Sequence, residues 1–212
     1  MTTFNTRLTA TLENIERIGG PREVSNLRRR VLKLGEELGE VAQAYLAVTS
    51  KNNYKLLTFL DLREESVDVF VVAADLMFHL ECPSSEGTVT EPGALLLRFD
   101  LDEHRRRMGE MDPVSAGALP ADEFEPRLAL LYAEFGLLMT MLLEGRDPRD
   151  CPELRLVVRR IYEKAFRLMM QDVPLEPTPP PAVRQNQVLL ELERKVSKWA
   201  RLAGVNLTAI PA

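Results

Sequence analysis

Two short stretches carry acids at a spacing that can do chemistry. In "KLGEELGEVAQAYL", Lys33 to Leu46, Glu37 and Glu40 stand three residues apart, with Glu36 beside them. In "LREESVDVF", Glu65 and Asp68 repeat the same step. Residues three apart on a helix emerge from one face, so each pair presents two carboxylates together. Either pair alone is what a solvated helix face carries, and Glu65 with Asp68 also suits the first turn of a helix, where acids meet the helix dipole. The combination argues for more. Asp68 is flanked by Val67, Val69, Phe70, Val71 and Val72, a costly place for an uncompensated charge. If the two helices pack through their apolar faces, four carboxylates converge and need cations or protons between them. Magnesium suits such a cluster, because it takes oxygen ligands, keeps some waters and completes its shell with phosphates.

The elements that must position these acids are helical. Apolar residues Val24, Leu27, Val31, Leu34, Leu38, Val41, Tyr45 and Val48 step by three and four, predicting a helix over about 22–48 with one packing seam. On that wheel Glu37 lies beside Leu34 and Val41, and Glu40 one step further round, so both carboxylates are expected at the rim of the core. A first helix over about 3–18 is stopped by "GGP" at Gly19 to Pro21. A third, over about 60–80, is apolar nearly all round beyond Val67, which marks it as central and buried. Residues 83–122 read as loop-rich with a short helix around 96–108. Helical patterning returns over 125–145 and 152–171, and "PLEPTPPPA" is an extended linker before a last helix over about 183–203. The expected organisation is an all-α bundle over residues 1–172, a proline-rich linker over 173–182, and a C-terminal helix and tail over 183–212.

Bulk composition narrows the function. The 212-residue chain is 45% hydrophobic and 28% charged with a formal net charge of -5. That length suffices for one substantial core, and that acidity argues against a nucleic-acid duplex as partner, since phosphate neutralisation needs a basic face. Cys82 and Cys151 have no paired spacing and read as free thiols in a reducing compartment. The polar N-terminus has no apolar signal region, and "VDVFVVAADLMFHL" is too short to span a bilayer. A cytoplasmic protein without a membrane partner is the expectation.

"EELGE" followed by "EESVD" resembles the paired acidic signature of the all-α nucleoside triphosphate pyrophosphohydrolases. That superfamily includes MazG-like proteins, dimeric dUTPases and phosphoribosyl-ATP pyrophosphohydrolases. The flanking "LGEELGEVAQAYL" and "DVFVVAADLM" resemble MazG-like proteins as well, and the likeness covers about residues 24–80. The resemblance implies that Glu37, Glu40, Glu65 and Asp68 ligate Mg2+, with Mn2+ as a substitute. It further implies that a (d)NTP is hydrolysed to (d)NMP and pyrophosphate, either in pool house-cleaning or by a specialised dUTPase-like or dCTPase-like enzyme. Glu36 matches the first glutamate of the doublet, which can orient the attacking water or meet a second ion. Glu64 is an extra acid read as a solvated neighbour. The rival of another class is a non-catalytic helical interaction protein.

Contacts to the nucleotide are less defined. Lys51 or Lys55 in "SKNNYK" can meet phosphates and Asn52, Asn53 or Tyr54 a base, and one arginine of "NLRRR" can approach a phosphate. His79 is read as hydrogen-bonded to a buried Asp75. "LLYAEFGLLMTMLL" can be laid over the first motif with Glu134 on Glu37, Gly136 on Gly39 and Leu137 on Glu40, as a decayed duplication would give. The apolar side of the last helix, Leu189, Leu192, Val196, Trp199 and Leu202, needs a partner. This helix or the second helical pair can complete a core within the chain or build a dimer interface, and a homodimer is expected.

Overall fold

The computed structural model describes residues 4–19, 24–51, 55–81, 124–146, 151–171 and 180–207, with 209. It is an all-α bundle of six helices among those residues: α1 (Phe4–Ile18), α2 (Val24–Thr49), α3 (Phe59–Glu81), α4 (Phe124–Leu143), α5 (Pro152–Met170) and α6 (Pro181–Ala203). No strand occurs among them. The short helix expected around 96–108, His104, Cys82, the loop residues Asn52 to Tyr54 and most of the proline-rich linker lie outside the described residues.

The chain's own stop signals set these elements. Pro152 opens α5, where its missing N–H costs nothing. Gly204 closes α6 in the left-handed conformation, φ 68°, and its N–H meets the Ala200 and Arg201 carbonyls. Between α2 and α3 only nine residues intervene, which forces the two helices to run back along one another.

Helix α3 is the centre, packed against α2, α5, α6 and α1. From Val69 to Leu80 every side chain is buried, as an all-round apolar helix requires. Phe70 meets Tyr162 and Phe166 of α5 at ring-centroid distances of 5.3 and 5.6 Å, within the range of favourable aromatic pairs. Asp75, the acid inside this helix, is held by Arg30 of α2 at 2.7 Å. Arg30 also donates to the Gly19 carbonyl, so it ties the end of α1 to α2 and α3. Arg30 is thus engaged within the fold, whereas Arg28 and Arg29 of the same run are exposed.

The last helix is no detached appendage. Val188, Leu189, Leu192 and Val196 of α6 join the same core as α1 and α3, and Arg7 of α1 grips Glu193 through two hydrogen bonds of 2.9 and 2.8 Å. The apolar side of α6 therefore finds its partner within the chain. Leu202, expected on that side, is 78% exposed.

Helix α4 crosses α2 in the opposite direction. Tyr45 stacks on Phe124 with centroids 5.1 Å apart, the Tyr132 hydroxyl donates to the Leu38 carbonyl at 2.8 Å, and Phe135 lies over Gly35. A Cβ at Gly35 would fall 2.7 Å from the Phe135 ring. Gly35→Val is therefore expected to destabilise the protein by about 2 kcal/mol through overpacking. Combined with Phe135→Ala, the loss should be less than additive by about 1 kcal/mol in denaturant titrations. Strict additivity would mean that the two helices do not touch there.

Among the described residues one helix, α4, is long and apolar enough to cross a membrane by length and composition alone. It nevertheless buries Phe124, Leu128, Leu131, Leu138 and Met141 in the bundle. Its other side leaves Leu130, Leu137 and Leu143 exposed.

Candidate metal centre

Three of the acids meet. Glu37 of α2 and Glu65 and Asp68 of α3 each offer a carboxylate oxygen, and these oxygens lie within 4.8 Å of one another. The antiparallel α2–α3 hairpin brings them together, and the three-residue step on α3 puts two of them on the side facing α2. Glu37 is 5% exposed, set among Leu34, Leu38 and Val41 of the buried seam.

Glu40, the fourth acid expected in the set, is exposed and lies outside the converging trio. A three-residue step turns a helix by about 300°, so Glu40 sits about 60° round from Glu37. That rotation carries it past the rim and into solvent. Its charge still reaches the trio and pushes up the pKa values of Glu65 and Glu37. Glu36 lies on the solvent side, its side chain 56% exposed, where Lys33 bonds it at 3.0 Å and Glu37 at 2.7 Å. Lys51 and Lys55 are exposed on the connection between α2 and α3.

The electrostatics are those of crowded carboxylates. Burial, then the nearby charges of Asp68 and Glu40, push Glu65 up to about 7. Burial raises Asp68 as well, against the opposing hydrogen bond from Lys195. Burial raises Glu37, with Lys33 opposing and Asp68 adding to the rise. Crowding of like charges disfavours ionisation at all three acids, and a cation between them would relieve it.

Nothing in the two acidic motifs points to Lys195. It comes from α6, 127 residues away from Asp68 in sequence, and its ammonium bonds the Asp68 carboxylate in a short ion pair. Glu64, one turn earlier, lies 3.6 Å from the same ammonium and 2.9 Å from Arg194. Glu64 is thus ion-paired to α6 rather than merely solvated. A signal existed in the spacing of Lys195, three residues after Leu192 and seven after Val188, which puts it on the apolar side of α6.

The second helical pair handles its acid differently. Glu134 of α4, the residue that aligns with Glu37, is bonded by Arg160 at 2.9 and 3.0 Å and by Lys164 at 2.7 Å, both from α5. Burial pushes Glu134 up, but the bonds from Lys164 and Arg160 outweigh it and hold the carboxyl below the usual range. There the cations are built into the chain, and no vacancy for an ion follows from the charges. Gly39 and Gly136, also aligned, both stand in open space.

The donor set of the first pair fits a hard divalent cation. It consists of carboxylate oxygens only, from two packed helices and close enough for one ion's shell. It is the one group of this kind among the described residues. Comparison with family models, with curated proteins and with solved structures returns no match. The functional reading therefore stands on this geometry.

Proposed function

We propose that the chain is a magnesium-dependent nucleoside triphosphate pyrophosphohydrolase of the MazG-like kind. The observation that carries this reading is the convergence of Glu37, Glu65 and Asp68, with oxygens within 4.8 Å, at the edge of an all-α bundle. Carboxylates repel a triphosphate, so a site made of them can serve phosphate chemistry only through a bridging cation. When bound, magnesium supplies charge neutralisation at the phosphates and acidifies water for attack. The chain's own residues do the rest. Glu37, Glu65 and Asp68 would hold the ion, and the packing of α2 on α3 fixes the helices that carry them. To Glu36, which is on the solvent side and paired with Lys33, we assign the orienting of the attacking water. Glu40 adds negative charge that favours cation entry. The exposed Lys51 and Lys55 of the connection between α2 and α3 are the residues we assign to the phosphates.

The test is release of pyrophosphate from a panel of (d)NTPs, with magnesium, with manganese and with chelator. Turnover of at least one nucleotide, dependent on the divalent ion and yielding the monophosphate, is expected. A preference for dUTP or dCTP would assign a specialised pool enzyme, and a broad preference would assign house-cleaning of surplus nucleotides. Failure of the whole panel under saturating metal would leave the helical interaction protein as the better reading.

We further propose a homodimer in a cytoplasmic setting. The exposed Leu130, Leu137 and Leu143 of α4 give a second copy an apolar surface to cover. Analytical ultracentrifugation checks this, and Leu137→Glu should shift the chain to monomer. A monomeric wild type at micromolar concentration would refute the dimer.

A further inference from the structure

Lys195 is the one element of the site that the acidic motifs do not contain. It is 9% exposed, on the helix side that carries the buried Leu192 and Val196, and its ammonium ends on Asp68 with Glu64 at 3.6 Å. Lys33 reaches the opposite side of the cluster, at Glu37 and Glu36. Three converging carboxylates thus meet two ammonium groups, one from α2 and one from α6, and among the described residues no hydrogen bond or ion pair reaches Glu65.

We propose that Lys195 is a resident counter-cation, which leaves Asp68 when a divalent ion is bound by Glu37, Glu65 and Asp68. This inference rests on reading that trio as an ion site. The physical ground is competition for one carboxylate. An ammonium and a divalent cation repel each other strongly at contact range in a half-buried site. Coordination also draws charge from Asp68 and weakens its hold on the lysine. A lysine is suited to yield, because its ammonium is a point charge on a flexible stem with no planar fork to preserve. Helix α6 need not detach: Arg7 holds it to α1 through Glu193 and Asn186, away from the cluster. Lys195 swings outward along its stem, beside the exposed Lys198. In the ion-free protein it keeps the acids from forcing α2 and α3 apart. It also sets a threshold below which the site stays closed to cations. The released ammonium stands at the edge of the ion site, where an anionic triphosphate would meet it.

Two measurements on the full chain test this. The first is labelling of lysine amines by a neutral acylating reagent, read by peptide mass spectrometry with and without Mg2+. Labelling of Lys195 is expected to rise at least about fivefold on saturation, with exposed Lys198 changing little. The second is Mn2+ affinity by titration calorimetry. Lys195→Met keeps the apolar stem and is expected to bind Mn2+ about tenfold more tightly than wild type, the order expected when one like charge is removed. Arg194→Gln, which alters only exposed pairs to Glu64 and Glu191, should stay within about twofold. Weaker or unchanged Mn2+ binding in Lys195→Met would overturn the proposal and make Lys195 a positioning residue for Asp68. Unchanged labelling of Lys195 while Mn2+ or Mg2+ saturates a site sensitive to Asp68→Asn would overturn it as well, and leaves the ion site standing. Absence of any such saturable binding defeats the underlying site reading together with the inference. If Lys195→Met does not fold, the labelling of the wild type decides alone.

Discussion

Asp68→Asn is expected to lower magnesium-dependent pyrophosphate release by about 10²–10³-fold, the range typical for loss of one preorganised charge contact to a reacting phosphate. The substitution keeps the shape and removes the charge that an ion needs from the partly buried side of the cluster. Glu37→Gln should match it, because Glu37 is the acid most enclosed by the α2 seam and cannot be replaced by solvent. Glu40→Gln provides the contrast. It is exposed and outside the converging trio, so its loss should cost no more than about tenfold, through weaker attraction of the cation. The pattern is read from kcat and KM together with the magnesium concentration for half-maximal rate. In the Asp68 and Glu37 variants that concentration should rise as kcat falls. Near-wild-type activity in both would exclude the trio as the ion site. An effect at Glu40 equal to that at Asp68 would mean that α2 turns during catalysis to bring in the fourth acid.

The order of those effects shows where the sequence was readable. The central position of α3 follows from a run with no polar face, since such a helix has nowhere to go but the core. The α2–α3 hairpin and its acid pairs were equally plain, because the spacing and the short connection are local properties. The rank of Glu37 above Glu40 was not: a wheel places both near the rim, and only the position of α3 and α4 against α2 decides which one the neighbours cover. Arg30 looked like any other residue of a basic run until the fold paired it with Asp75 and the Gly19 carbonyl. Lys195 was the hardest, being supplied from the far end of the chain. Its partner depends on how α6 docks, and α6 docks through an apolar face that any partner could have satisfied. Glu134 shows the same limit from the other side. Its alignment with Glu37 is visible in sequence, whereas the cations that neutralise it, Arg160 and Lys164, become meaningful only once α5 lies beside α4. Motifs state which groups share a helix face, and tertiary packing decides which charges they meet.

Glu65→Gln should separate stability from function with opposite signs. In the ion-free protein, burial and the charges of Asp68 and Glu40 raise the Glu65 pKa from its ordinary 4.5 to about 7. Below pH 4.5 Glu65 carries its proton in the folded and unfolded chains alike. Between 4.5 and 7 the folded protein retains a proton that the unfolded chain has lost, so stability falls as pH rises through that window. Above 7 the loss is complete. The full shift would correspond to about 3 kcal/mol, but Glu65 is only half-buried, and solvent screening reduces the expected contribution to about 1–2 kcal/mol. Glu37 and Asp68 are shifted in the same direction and add to the trend. In chelator at pH 8.5, Glu65→Gln is therefore expected to melt a few degrees above wild type, and at pH 4.5 the two should converge. Saturating magnesium should reverse the ranking at pH 8.5, raising the wild-type midpoint through ligand linkage and leaving the variant nearly unmoved. Pyrophosphate release by the variant should be lost along with that response. The same carboxylate thus costs the empty fold stability and supplies the charge that holds the ion, the trade expected where a site is built for a ligand rather than for the fold. Scanning calorimetry over pH 4.5–8.5, with and without magnesium, reads both signs. If Glu65→Gln destabilises the ion-free protein at pH 8.5, the three carboxylates are not in mutual repulsion, and the charge argument for a cation between them fails.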